Sequence, residues 1–529
     1  MNKVLKSLFL LLICTASSLC ETTKFLGAAQ PRSLKTQERT RKAGILMHIT
    51  SLPSKYGIGT LGQEAFKFVD FLVKAKQSVW QLLPIHPTGY GDSPYQAFST
   101  FAGNPYMIDL DALIDEGLLT KEEVEAISWG ADPSVVDYGI LYKERMKLLR
   151  KAYERFESGR DYIDFVIAND WIYDYVTFMA CKDLYNNSHW TTWPEDIRKK
   201  DKAAVGNILS EHSLEVKFHY FLQYKFFEQF NKLRDYAHEK GIQLLGDVPI
   251  YVPYDSVDTW ANPTLFQFDE SGKPLAVAGV PPDAFTADGQ LWGNPLYNWP
   301  VHKSTRFNWW IKRLSFLGGL FDIIRIDHFR GLESYWKVPA GDTTARNGEW
   351  VKGPGMDFIN AVKEKLPNIQ FIAEDLGYLT PEVLALREGS AFPGMKILQF
   401  AFDPREPSDY LPHTYDKNSV CYTGTHDNDT LMSWQKALSD EDRAFAEKYL
   451  GLEKGADLRW PLLRAGMSST SNLFIAPLQD YLGLGGEARM NRPGIMDGKN
   501  WLWRSTPGQI PEDLADKIAD LTVLYNRSD

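Results

Sequence analysis

Four short stretches place ionisable side chains where apolar ones belong. "FDIIRIDHFRG" (321–331) sets Asp322, Arg325, Asp327 and His328 among Ile323, Ile324 and Ile326. "FIAEDLG" (371–377) carries Glu374, "LLGDVPIYV" (244–252) carries Asp247, and "YTGTHDND" (422–429) carries His426 and Asp427. Removing a charge from water is costly unless the charge is paired. One buried Arg–Asp pair is most simply structural. Several stretches that each deliver a carboxylate create like-charge repulsion that a structural design avoids, and such strain gathers at active sites. An ionised carboxylate can attack a carbon while a second, kept protonated, donates to the leaving oxygen. That pair is the equipment of glycosidic bond chemistry. The His and Asp of "HDND" would also suit a metal, but the chain shows no HExxH or other ligand spacing.

The elements that must position these groups are legible as near-continuous apolar runs at 43–50, 78–85, 241–252, 321–329, 369–377, 394–402, 419–429 and 473–482. Parallel strands covered on both faces read this way. Between runs, segments such as 62–77 and 216–241 show apolar residues three and four apart, the helical period. Strands alternating with helices predict an α/β fold, a (β/α)8 TIM barrel with inserted subdomains. A doubly wound sheet is the alternative, but no glycine-rich phosphate turn follows the first run. In a barrel the chemistry sits at the carboxyl ends of the strands, where these polar residues fall. The two-residue strand period puts Ile323, Arg325 and Asp327 on the inward face and Ile324 and Ile326 toward the helices. The catalytic barrel is predicted over 43–529, with an inserted helical subdomain at about 111–215. The stretch at about 253–300 reads as a lid loop, too aromatic (Phe285, Trp292, Tyr297, Trp299) to be disordered.

A net charge of −10 argues against nucleic acid, whose phosphates want a basic stripe. The first 43 residues hold eight Lys or Arg against two Asp or Glu, which leaves −16 on the rest. The expected ligand is neutral or cationic, or held by hydrogen bonds and stacking. Sixteen tryptophans serve either a large core or the stacking of rings on sugars or bases. Cysteines at 14, 20, 181 and 421 form neither a disulfide framework nor a zinc pattern. Residues 1–42 read as a leader. Lys3 and Lys6 precede an apolar run from Leu8 to Ile13, and a basic Ser/Thr-containing segment follows. Together they resemble a bipartite plastid leader; a misassigned start or a disordered tail is the other reading. No other segment looks transmembrane. Sequons begin at Asn186, Asn428 and Asn526, and a glycan on Asn428, beside Asp427, would block the cleft.

Longer motifs accompany these stretches: "HITSLPSKYGIGTLG" (48–62), "LLPIHPTGYGDSPYQAFSTFAGNPYMIDL" (82–110), "GVPPDAFTADGQLWGNPLYNW" (279–299), "THDNDT" (425–430) and "ARMNRPG" (488–494). From about residue 43 to 506 the chain resembles the 4-alpha-glucanotransferases (amylomaltase, or disproportionating enzyme) of the alpha-amylase clan. The resemblance implies a (β/α)8 barrel with inserted subdomains and no separate C-terminal β-domain. It implies Asp327 as nucleophile, Glu374 as acid/base, and Asp427 as a third carboxylate that grips substrate hydroxyls. Arg325 would keep Asp327 ionised, with His426 and Asp247 around the sugar at the cleavage point and Tyr95 as a stacking platform. Phe285, Gln290 and Trp292 would belong to the lid, and Tyr90 to a second glucan-binding position. The implied partners are maltodextrins and starch- or glycogen-derived α-1,4-glucans, with glucose as acceptor and no cofactor. One departure is Ile49 after His48, where many relatives have proline. The roles require Asp327 charged and Glu374 protonated, with Arg325 lowering one pKa and burial raising the other. An α-1,4-glucan hydrolase would use the same residues, and a non-catalytic glucan binder would not need the intact set.

Overall fold

The computed structural model describes residues 41–528 apart from 283–285, 378 and 496, so the predicted leader, bar its last two residues, lies outside the described residues. In chain order the described strands are β1 (Lys42–Leu46), β2 (Val79–Gln81), β3 (Gln243–Val248), β4 (Ala276–Val280), β5 (Gln290–Pro295) and β6 (Ile323–Ile326). They continue as β7 (Ser334–Pro339), β8 (Glu349–Lys352), β9 (Gln370–Ala373), β10 (Gly394–Ile397), β11 (Ser419–Tyr422) and β12 (Leu473–Pro477). Eight of them form one parallel sheet in the order β10-β11-β12-β1-β2-β3-β6-β9. The Ala373 N–H donates to Pro393 O at 2.9 Å, which draws β9 toward the start of β10 and nearly closes the ring. This is a (β/α)8 barrel, and each apolar run read from the sequence coincides with one of its strands, β1 beginning one residue ahead of its run. The runs extend beyond the strands into the loops that follow; every residue of β6, β11 and β12 is buried. Arg325 and Asp247 lie inside the buried strands, and Asp327, Glu374 and Asp427 follow at their ends.

Helices tie the strands and loops together. Helix Gln63–Lys74 buries Ala65, Phe68, Val69 and Leu72, a stripe at three- and four-residue spacing. Helix Ser213–Glu239 packs an aromatic face on the barrel and carries two buried glutamines. Gln223 accepts from Gly103 N–H (2.7 Å) and donates to Gly103 O (3.0 Å), and Gln229 does the same with the backbone of Asp109 (2.7 and 3.3 Å). A carboxamide matches a peptide group donor for acceptor, so the helix satisfies a buried loop that has no strand partner. That loop follows β2 and carries Tyr95.

A second sheet, antiparallel in the order β5-β4-β7-β8, stands beside the barrel mouth. The sequence suggested only loop over 253–300, yet β4 and β5 lie within it. Their glycines and prolines mask the strand pattern, and β4 pairs with β7, which lies beyond β6 in the chain. Among the described residues no helix is long and apolar enough to cross a membrane.

The foot of the barrel is held by a buried cation. Arg527, 1% exposed, donates to the carbonyls of Met467 (2.7 Å), Lys42 (2.8 Å), Ser469 (3.1 Å) and Ser471 (3.0 Å). Burial lowers its pKa to about 10, so it stays charged at neutral pH. Arg527→Ala takes this donor from the Lys42 and Ser471 carbonyls, while Arg41 still reaches Ser469 O (2.8 Å) and Met467 O (3.0 Å), an expected loss of about 2 kcal/mol. Thermal unfolding should show a clearly lower midpoint, and an unchanged one would mean that water replaces the guanidinium without loss.

Candidate active site

The site is built where β3, β6, β9 and β11 end. Parallel register sets Asp247 of β3 level with Arg325 of β6. Arg325 Nη1 donates to Asp247 Oδ2 at 2.7 Å and lies 3.0 Å from Asp327 Oδ1, while its Nε points at Met395 Sδ of β10 (3.4 Å). One cation therefore serves two carboxylates, as the inward-facing alternation predicts. Asp247 Oδ2 also accepts from the Tyr95 hydroxyl at 2.7 Å. Gly246 is required beside it, because a Cβ there would come within 2.3 Å of the Phe321 ring. Arg325 and Asp247 are closed from solvent (3% and 0%), but Asp327 keeps 27% of its side chain open. The carboxylate that faces the cleft is Asp327.

Glu374 follows β9 directly. Its backbone N–H donates to Ile326 O (3.1 Å) and its carbonyl accepts from Phe329 N–H (3.1 Å), which locks the two strand ends together. Its Oε2 accepts from the His328 N–H at 2.7 Å and its Oε1 from the Leu376 N–H at 2.9 Å. His328 adopts a left-handed backbone (φ 50°), unfavourable for a residue with a Cβ. That turn aims the His328 amide at Glu374 immediately after Asp327. Backbone geometry of this kind leaves no mark on residue type.

Burial pushes both Asp327 and Glu374 above the usual carboxylate range, and Arg325 is the main opposing influence on each. The charges of Asp247, Glu374 and Asp427 raise Asp327 further. The sequence expectation, that Arg325 lowers Asp327, differs from this because burial outweighs the guanidinium, which is also shared with Asp247.

Asp427 and His426 lie beyond β11. The His426 ring stacks on Tyr95 (centroids 5.0 Å, 15°), and Trp501 packs on both rings (5.8 and 5.9 Å). Burial lowers the His426 pKa, and the neighbouring Asp427 opposes this. Asp427 Oδ1 accepts from Asn491 Nδ2 at 2.7 Å and lies 3.3 Å from His426 Nε2; its carbonyl accepts from Arg489 Nη2 at 2.7 Å. Beneath this turn the buried Asp480 accepts from the Thr423 hydroxyl (2.6 Å) and the Leu431 N–H (2.8 Å). Sequence reasoning gave no role to Arg489, Asn491, Trp501 or His328. The polar residues of "ARMNRPG" were a usable signal for the first two; Trp501 had none.

On the far wall, Trp292 meets the His328 ring edge-on at 4.7 Å and the Tyr251 ring at 6.2 Å, and its Nε1 donates to Gln290 Oε1 at 3.2 Å. Phe285 lies outside the described residues. Tyr90 opens the turn Tyr90–Asp92, and its side chain also lies outside what is described. Of the remaining predicted site residues, Tyr95, Asp247, Arg325, Asp327, His426 and Asp427 form one connected network. Glu374 joins it through the chain that carries Asp327, and Gln290 and Trp292 form the facing wall. Among the described residues no group of three His, Cys, Asp or Glu could hold a metal ion.

A parallel (β/α)8 barrel with acidic groups gathered at its strand ends defines a barrel enzyme. The family described as 4-alpha-glucanotransferase (Glyco_hydro_77) matches residues 47–509. The 4-alpha-glucanotransferase of Clostridium butyricum is 47% identical over 91% of this chain and 100% of that one. The 4-alpha-glucanotransferase of Streptococcus pneumoniae (strain TIGR4) is 47% identical over 92% of this chain and 98% of that one. The amylomaltase from Streptococcus agalactiae, solved in complex with acarbose, superposes with a TM-score of 0.90 at 41% identity, over 92% of this chain and 100% of that one. The chain belongs to the 4-alpha-glucanotransferase family. It is an enzyme of the glycosyltransferase type.

Proposed function

We propose that the chain moves α-1,4-linked glucan segments from a donor maltodextrin to the 4-hydroxyl of glucose or another glucan, by retaining double displacement. A carboxylate oxygen of Asp327 attacks the anomeric carbon, the glycosidic C–O bond breaks, and Glu374 passes its proton to the leaving oxygen. The acceptor hydroxyl then attacks the same carbon, returns a proton to Glu374 and releases Asp327. Asp427, held by Asn491, grips hydroxyls of the distorted sugar, and Tyr95 stacks on its ring. The observation that carries the reading is the Arg325 guanidinium shared by Asp247 and Asp327, with Asp327 alone of the three open to the cleft. Substrates in this reading are maltodextrins and starch- or glycogen-derived chains, with glucose as acceptor.

Transfer requires that a sugar hydroxyl reach the glycosyl-enzyme before water does. The aromatic wall of Trp292, His328 and Tyr251 supports this by excluding water and offering an acceptor a flat surface. Incubation with maltotriose should give glucose together with longer maltodextrins and little rise in reducing ends. Short sugars alone, with rising reducing ends, would make the chain a hydrolase. Trp292→Ala removes the wall, so the ratio of glucose to longer products should rise severalfold as water takes a larger share. An unchanged ratio would leave Trp292 with a structural role only.

A further inference from the structure

Trp350 lies in the open. It sits on β8, an edge strand of the antiparallel sheet, and 41% of it faces solvent. Its orientation is nonetheless fixed. The buried Arg330 guanidinium lies 4.0 Å from the ring centroid, and Trp336, directly opposite on β7, meets it at 5.1 Å and 66°. Trp336 is fixed in turn by its indole N–H, which donates to Ala345 O at 2.8 Å. Around the ring the charges are matched: Lys337 pairs with Glu349 (2.9 Å) and Lys352 with Glu333.

We propose that Trp350, braced by Trp336 and Arg330, is a docking platform for a distal stretch of α-1,4-glucan, separate from the cleft. The inference rests on the substrate class of the proposed function. A flat ring held in advance offers an apolar face to the C–H side of a sugar at little entropic cost. The surrounding carboxylates and ammonium groups can exchange hydrogen bonds with its hydroxyls. Because those charges are balanced, the rim favours a neutral polyhydroxylated chain over a phosphate or an acidic peptide. Cross-strand register puts Leu291, Gly279, Trp336 and Trp350 in one row on one face of the sheet. Trp292, one residue on, where the pairing of β5 becomes irregular, turns to His328 and Tyr251 at the cleft. A long glucan that engages both reaches around a sheet about 15 Å wide, three strand spacings; a trisaccharide in the cleft does not. Pairing of β8 with a second copy of the chain is opposed by its shortness and by Glu349 and Lys352 on the edge.

The test compares the parent with Trp350→Ala and Trp350→Tyr. Native electrophoresis through gels containing amylopectin should retard the parent and Trp350→Tyr clearly more than Trp350→Ala, which keeps only the cleft. With long amylose as donor and glucose as acceptor, Trp350→Ala should raise KM at least fivefold with kcat retained. With maltotriose both constants should stay within twofold, which also shows that the variant folds. Equal retardation of Trp350→Ala and the parent would overturn the proposal. So would a parallel fall with both substrates, which would make Trp350 a prop of the lid sheet, or a change in sedimentation, which would make the platform a contact between copies. If the parent yields only short sugars from maltotriose, the transferase reading fails instead, while gel retardation still reads the platform.

Discussion

Replacing Asp327 with asparagine is expected to lower maltotriose disproportionation by three orders of magnitude or more, about 4 kcal/mol of transition-state stabilisation. The amide keeps the shape of the carboxylate but cannot attack the anomeric carbon. The fold should survive, because Arg325 keeps its 2.7 Å contact with Asp247 and is not left as an unpaired buried cation. The measurement is kcat/KM for maltotriose alongside the unfolding midpoint. A correctly folded variant that keeps a tenth of the activity would remove Asp327 from the role of nucleophile.

The second large effect is that of Glu374→Gln. Natural glucans lose their proton donor, and their turnover should fall by about two to four orders of magnitude. A donor with a good leaving group, such as maltosyl fluoride, needs no proton and should still load Asp327, giving a glycosyl-enzyme visible by mass spectrometry. The pH dependence of that loading has a definite sign. Loading needs ionised Asp327, and burial raises its pKa above the usual carboxylate range. Loading should therefore fall away on the acid side at higher pH than for an ordinary carboxylate; loading that persists unchanged to low pH contradicts the assignment. Stability follows the same linkage. A carboxyl raised in the fold binds its proton more tightly folded than unfolded. Its contribution is present below the ordinary carboxylate range and is lost as pH rises through the folded value. Glu374→Gln removes that pH-dependent loss but turns its amide NH2 toward the His328 or Leu376 N–H, so the unfolding midpoint of the variant should fall less than the parent's as pH rises from the ordinary carboxylate range to neutrality.

Much of this site was legible before any coordinates. Buried parallel strands cannot alternate, so eight apolar runs gave away eight barrel strands. A charge inside such a run has to face a partner, and the period of two then predicted that Arg325 points inward. What stayed hidden depends on contacts distant in the chain. Asn491 orients Asp427 across 64 positions, and neither residue type announces the other. The His328 amide acts through a backbone angle, and the hairpin of β7 and β8 gains its meaning only once β4 lies alongside. The direction of the Asp327 shift needed its burial among other carboxylates, which outweighs the guanidinium it shares with Asp247.

The circular sheet also constrains how the molecule comes into being. Synthesis starts from the amino end, yet β1 lies between β2 and β12, with Lys42 opposite Leu473. One side of the first strand stays unpaired until some 430 further residues have been translated, roughly half a minute or more at ordinary elongation rates. Arg527, which binds the Lys42 carbonyl, leaves the ribosome later still. Throughout that interval a growing partial barrel presents two bare hydrophobic edges, the template on which nascent chains associate. The seam that completes the fold is thus the last to be made.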